Sequence, residues 1–404
     1  MKKYVTVLCD GMADYDDARG LTPMDEARKP MMDALCARGI TGLVKTVPNG
    51  MKAGSDVCNL AALGYDPRAC YTGRSPLEAL SMGIPLGADD VTFRTNLVTL
   101  SDADDLSDRV MLDYSAGEIS TEEARELIDA LRDVFAANGV ELYSGVSYRH
   151  AAVIRNGALG TKFTPPHDIL DKRIATYLPD GVNGELFRSL IERSIDVLAS
   201  HPVNIAREKA GKRKATSVWF WGEGTKPILE NYSDKFGKTA TVISAVDLVK
   251  GIGVAGGMDV VDIPTATGTV DTDYAAKAAA AIKALSACDY VFVHLEGPDE
   301  CGHQGDRAGK IRAVEQIDEK ILTPIVNYLK GTGEPFAVSV MPDHATPLSV
   351  RTHTPEPVPF FIYDSEAERA SGVGFSEKAA KSTGVYFPSG ADVAKTLFGL
   401  SEKP

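Results

Sequence analysis

Several common features are scarce in this sequence, and each scarcity removes a class of function. Its six cysteines (Cys9, Cys36, Cys58, Cys70, Cys288 and Cys301) contain no CxxC pair. Neither a disulfide framework nor a thiolate zinc site is expected, and the thiols are read as free. No run of 18 apolar residues occurs, so no membrane-spanning helix is expected. The apolar run at 4–8 leads straight into Cys9 and Asp10 without a signal-peptide pattern, which predicts a cytoplasmic location. Basic charge is in deficit, with 43 Lys and Arg against 56 Asp and Glu and a formal net charge of -13. Nucleic acid and anionic membranes are therefore not expected as partners, and an anionic substrate needs local cations. The two tryptophans, Trp219 and Trp221, read as strand residues packing on a core, with no function assigned.

The 404 residues, 44% hydrophobic and 25% charged, are long for one compact core, so two domains are expected. Strand-like runs at 4–8 and 41–47 alternate with helical ones at 31–38 and from Ser55 onward. The last third repeats the rhythm, with strands at 241–244, 260–263, 290–294, 336–340 and 358–363 and helices at 274–287 and 310–328. This alternation predicts a parallel α/β sheet. Between 90 and 215 the chain turns polar and acid-rich, with amphipathic helices at 121–137 and 184–199. Ser120 ahead of Glu122 and Glu123 reads as the N-cap of the first. The expected organisation is an α/β core of 1–89 and 216–404, interrupted by an α+β cap domain at 90–215. There is no internal repeat and no low-complexity tract.

Two glycine motifs imitate nucleotide sites and fail on context. GIGVAG at 251–256 fits GxGxxG, and Asp271 follows Gly251 at dinucleotide spacing. Six helical-looking residues, 245–250, nevertheless separate these glycines from the preceding strand. Gly237, Lys238 and Thr239 resemble the end of a P-loop, but Tyr232 stands where its first glycine is required. No nucleotide cofactor is expected.

The chemistry-bearing residues concentrate near the C-terminus. Asp299 and His303 lie in GPDECGH, Asp343 and His344 in MPDH, and His353 in RTH, each group following a strand-like run. The carboxyl ends of strands in an open α/β sheet share one rim, and Asp10, ending the first strand, belongs to it. The four-residue spacing of Asp299 and His303 aims both at one point if the turn is helical. Alone, that pair reads equally as a helix cap and a surface histidine. The whole Asp/His set suits two divalent ions: Mn²⁺ or Zn²⁺ for the imidazoles, with Mg²⁺ open for the carboxylate-rich half. Ser55 follows Gly54 at the start of a short apolar helix. It reads either as an N-cap or as a hydroxyl nucleophile beside free amides.

Six segments carry a resemblance: CDGMAD at 9–14, AGSDVCNLAALGYDP at 53–67, YTGRSPLEA at 71–79, FRTNLVT at 93–99, HLEGPDECGHQGD at 294–306, and the PDH, RTH and PVP series from 342 to 359. In these the chain resembles, over essentially its full length, the cofactor-independent phosphoglycerate mutases of the archaeal type, in the alkaline phosphatase superfamily. The resemblance implies an alkaline phosphatase-like three-layer αβα core with an inserted α+β cap. It implies one metal held by Asp10, Ser55, Asp343 and His344 and another by Asp299, His303 and His353. Ser55 would then become phosphorylated while 2-phosphoglycerate and 3-phosphoglycerate, small phosphorylated substrates of glycolysis and gluconeogenesis, are interconverted. The inserted domain would act as a lid that keeps water from the phosphoryl group. Arg94, Asn96, Arg149, His150, His167 and Asp168 are candidates for carboxylate and phosphate contacts, with solvated surface charge as the alternative. The last three are also candidates for carrying a proton between the two hydroxyls. The same metal motifs would serve a phosphatase, or transfer to another small alcohol as in the homoserine kinases proposed among relatives. A structural metal protein would need no serine at a helix start.

Overall fold

The computed structural model describes residues 1–400. The chain divides into two units, Met1–Tyr71 with Ile228–Pro404, and Thr72–Pro227. These limits lie outside the 89/90 and 215/216 that the change in composition suggests. The helix Ser75–Ser81 and the strand Ser217–Thr225 belong to the second unit because both attach to the strand Val91–Leu100. The strand Ser217–Thr225 pairs with it antiparallel, and Ser75 Oγ bonds Thr92 Oγ1 at 2.8 Å.

The first unit is built on eight strands: β1 Lys3–Cys9, β2 Ile40–Val44, β3 Ala240–Ile243, β4 Asp259–Val261, β5 Tyr290–Leu295, β6 Phe336–Met341, β7 Val358–Asp364 and β8 Tyr386–Phe387. They lie in the order β4-β3-β5-β1-β6-β7-β2-β8. All neighbours are parallel except at β7, which runs antiparallel to both β6 and β2. The parallel sheet expected from the sequence is therefore present but mixed, with β7 as its antiparallel strand. The reason is local: a parallel return needs a crossover, usually a helix, and the segment 342–357 between β6 and β7 has none.

Alternate strand residues feed two faces. Val5, Val7, Val291, Val293, Val338 and Val340 pack against Met32, Leu35, Ala281, Ile317 and Ile325 on one side. On the other, Tyr4 and Tyr290 pack against Phe398, which also meets Tyr232 and Phe236. Helical layers on both faces make the α/β sandwich expected. The helix expected at 310–328 is Arg307–Ile317, a π-helical turn Asp318–Leu322, and Thr323–Thr332. The wide turn leads into Pro324, which has no amide to continue an α-helical ladder.

Both decoy motifs are ordinary structure. The glycines of 251–256 lie in or just after the helix Asp247–Ala255, where Gly253 sits so close to Val242 and Val260 that a Cβ would reach 3.0 Å. Gly237 is the left-handed cap of Tyr232–Phe236. No described helix is long and apolar enough to cross a membrane.

Lys310 is fully buried, and its ammonium donates to Asp14 Oδ2 at 2.8 Å, Thr346 O at 2.8 Å and Ala13 O at 3.3 Å. It ties the turn after β1 to the segment after β6. Lys310→Met leaves the Asp14 carboxylate buried without its cation, a change that costs about 3–5 kcal/mol. Denaturant unfolding should show the midpoint falling accordingly; an unchanged midpoint would refute this role.

The second unit is α+β. The strand Val91–Leu100 is central, between Arg149–Ile154 and Ser217–Thr225, and all pairings are antiparallel. The helices Thr121–Ala136 and Gly184–Ala199 cover it with Leu127, Ile128, Leu131, Phe187 and Leu190. Ser120 Oγ accepts from Glu123 N–H at 3.3 Å, the cap that the sequence predicts. Trp219 is buried and donates Nε1–H to Thr164 O at 2.8 Å.

Candidate active site

Because β5, β1 and β6 are parallel neighbours, their carboxyl ends meet. Asp10 follows β1, Glu296 and the helix Gly297–Gln304 follow β5, and Asp343 and His344 follow β6. Gly11 turns the chain after Asp10 at φ +61°, and a Cβ there would lie 2.5 Å from Asp299 Oδ1 and 2.7 Å from Asp299 Cα. Only glycine permits that approach without displacing Asp299.

Asp10, Asp343 and His344 form one fully buried group. His344 Nε2 lies 3.4 Å from Asp10 Oδ1, 3.4 Å from Asp343 Oδ2 and 3.3 Å from Ser55 Oγ. Ser55 is the first residue of the helix Ser55–Ala62, whose N-cap is Gly54 and has no side-chain bond. Its hydroxyl faces the histidine instead of capping the helix. Asp343 Oδ1 accepts from Gly11 N and His344 N at 3.1 and 2.9 Å, and its Oδ2 accepts from Asn59 Nδ2 at 3.0 Å.

The second group is more open. Asp299 and His303 stand one turn apart on Gly297–Gln304, with Oδ2 and Nε2 3.2 Å apart. His303 Nε2 also lies 3.0 Å from His353 Nε2, which is 3.5 Å from Asp299 Oδ1. His303 Nδ1 donates to Arg351 O at 3.0 Å, which turns Nε2 toward Asp299 and His353; its hydrogen bond with Asp299 pushes the imidazole up to about 9. The His344 and His353 rings are 4.0 Å apart, and Asp299, His344 and His353 themselves form a three-ligand group. His344 thus adjoins both groups.

The electrostatics suit a cation. Burial, then the Asp343 and Asp299 charges, push the Asp10 carboxyl well up. Burial opposes ionisation of Asp299 too, but hydrogen bonds from His303 and His353 hold it well below the usual range. Burial pushes His344 down, leaving a neutral imidazole able to ligate. Asp10 Oδ1 is buried with no hydrogen-bond partner. Carboxylates and imidazole nitrogens gathered in two adjoining groups, one of them beside the orphaned Asp10 oxygen, fit divalent ions.

Three residues that the sequence reading gave no role belong to this site. Asn59, one turn after Ser55, donates to both Ser55 O and Asp343 Oδ2; its helical spacing from Ser55 was the available signal. Thr346 Oγ1 donates to Asp299 Oδ1 and lies 3.3 Å from His344 Nδ1. His294 contacts Asp10 from the end of β5.

Within the second unit, Arg94, Asn96 and His167 gather around Trp221, the tryptophan read above as core. The Arg94 guanidinium lies 3.7 Å over its ring, and Arg94 Nε is 2.8 Å from Glu78 Oε2. Burial pushes Arg94 down to about 10 against the pull of Glu78. Trp221 Nε1–H donates to Asn96 Oδ1 at 2.9 Å, and His167 packs edge-on at 5.3 Å. Arg149 lies over Tyr148 at 5.5 Å, while Asp168 is exposed beside His167. His150 stands apart: it is buried, its Nδ1 accepts from Gly145 N–H at 3.1 Å, and burial pushes it down to about 3.

Residues 36–204 match the family described as 2,3-bisphosphoglycerate-independent phosphoglycerate mutase. The protein of that name from Methanosarcina acetivorans is 47% identical over 400 residues, covering 98% of this chain and 99% of its own. A probable one from Geobacter sulfurreducens is 47% identical over 391 residues, covering 96% and 97%. Among solved structures, the PH0037 protein of Pyrococcus horikoshii matches with a TM-score of 0.82 at 28% identity, covering 100% and 99% of the two chains. The cofactor-independent phosphoglycerate mutase of Thermoplasma acidophilum shares the fold, with a TM-score of 0.68 at 23% identity over the whole of both.

Proposed function

Since the chain belongs to the 2,3-bisphosphoglycerate-independent phosphoglycerate mutases, we propose that it interconverts 2-phosphoglycerate and 3-phosphoglycerate through a phosphoserine at Ser55. The observation that carries this reading is the Ser55 hydroxyl, 3.3 Å from His344 Nε2 at the point where Asp10 and Asp343 also converge. Asp10, Ser55, Asp343 and His344 would hold one divalent ion, and Asp299, His303 and His353 the other, Mn²⁺ or Zn²⁺ being favoured by the imidazoles. Such ions, when bound, lower the pKa of a hydroxyl and neutralise phosphoryl oxygens.

Ser55 Oγ gives up its proton as it attacks phosphorus, the bond to the C2 or C3 oxygen breaks, and that departing oxygen takes up one proton, so the step is proton-neutral overall. The reverse step returns the phosphoryl group to the other hydroxyl. The positive end of the helix Ser55–Ala62 favours the incoming anion. Asn59 keeps the nucleophile and Asp343 in register, and Thr346 keeps Asp299 in place. Arg94, braced by Glu78 and Trp221, with Asn96, Arg149 and His167, would contribute to recognition of the substrate's anionic groups. Six free, buried cysteines are consistent with a reducing cytoplasm.

The test is protein reconstituted with Mn²⁺ and supplied with 3-phosphoglycerate, with enolase added to consume 2-phosphoglycerate. Sustained turnover without release of inorganic phosphate is expected. Release of phosphate would make it a phosphatase, and turnover only of another phosphoester would make it a different transferase.

A further inference from the structure

The parallel register of β1 and β5 places His294 opposite Leu8, and so beside Asp10. The ring is fully buried and both of its nitrogens are engaged. Nε2 lies 2.9 Å from Asp10 Oδ2, and Nδ1 lies 3.2 Å from Ser244 Oγ. Ser244 Oγ accepts from Val246 N–H at 2.9 Å, leaving its own proton to donate. Nδ1 is the nearer acceptor for it, since Val246 O is 3.5 Å away. An imidazole that accepts at Nδ1 carries its proton at Nε2, and here that proton points at Asp10 Oδ2. A directed series of donors thus runs from the Val246 amide through Ser244 and His294 to one oxygen of Asp10. The other oxygen, Oδ1, has no hydrogen-bond partner and lies 3.4 Å from His344 Nε2.

We propose that His294, its tautomer set by Ser244, is a positioning residue for Asp10: it occupies Oδ2 so that Oδ1 alone faces the cation. Asp10 is thereby fixed as a one-oxygen ligand, and its carboxylate cannot rotate to offer both oxygens. The inference rests on the metal reading above. It adds that affinity at the buried group depends on a residue that touches neither ion nor substrate.

Mn²⁺ titration of the metal-stripped full chain by calorimetry tests this, with unfolding of the metal-free protein as the structural control. The wild type should bind two ions. His294→Leu, which fills the space without a donor, should weaken one of them by about 10- to 100-fold and leave the other unchanged. His294→Gln, whose amide nitrogen stands where Nε2 stood, should recover most of the loss. Ser244→Ala frees the tautomer without emptying the ring's site and should weaken the same ion several-fold; it decides the matter if His294→Leu does not fold. Wild-type affinity in both His294→Leu and Ser244→Ala would overturn the proposal while the two-metal reading stood. So would a lowered metal-free midpoint with affinity unchanged, the mark of a merely structural histidine. Fewer than two ions in the wild type would remove the metal reading and this proposal with it.

Discussion

Ser55→Ala should lower interconversion of the phosphoglycerates by roughly 10⁴-fold or more and remove all phosphoryl labelling of the chain, if the proposed phosphoserine forms there. The size of the effect follows from there being no substitute hydroxyl in the same place. Thr346 Oγ1 is committed to Asp299, and it adjoins His344 through Nδ1, not through the Nε2 that faces Ser55. The fold should survive, because alanine suits the first position of a helix and Asn59 still bonds the backbone carbonyl of residue 55. Mass spectrometry of protein quenched with 3-phosphoglycerate checks it: wild type should carry one phosphoryl group on the peptide containing Ser55, and Ser55→Ala none. Retained turnover with phosphate on another peptide would move the nucleophile elsewhere.

Asp299→Ala or His353→Ala should lower bound metal from about two ions per chain toward one, and lower turnover by roughly 10²-fold or more. Asp299 is the hub of the more open group, within 3.5 Å of both His303 and His353 and bonded to Thr346. Its loss leaves two imidazoles 3.0 Å apart with no anion between them. His344→Ala should be the most severe of the series, because His344 adjoins both groups. Elemental analysis of purified variants gives the stoichiometry. Two ions per chain in Asp299→Ala would refute the assignment.

Much of this candidate site could be read along the chain because its residues obey local rules. Asp299 and His303 are four apart on a helix, and a helix brings that spacing to one face. Asp10, Asp343 and His344 follow strands, and neighbouring parallel strands end together. The helices Thr121–Ala136 and Gly184–Ala199 were visible through their apolar period. Strand direction was not, since an apolar run looks alike in either sense; β7 is reversed because no crossover helix precedes it. The unit limits were also hidden, because Ser75 and the strand Ser217–Thr225 declare their attachment only through distant partners.

The sequence by itself determined which atoms are available: the carboxylates, the imidazoles, and a serine at the start of a helix behind a glycine. Only the tertiary structure decided how they divide. It turned the Ser55 hydroxyl away from capping and toward His344, set that histidine against both groups, and left Asp10 with one oxygen held and one bare. Those outcomes depend on hydrogen bonds between residues hundreds of positions apart, Asp10 with His294 and Asn59 with Asp343. Local periodicity carries no trace of such pairs, because they exist only once the sheet has brought its strand ends together.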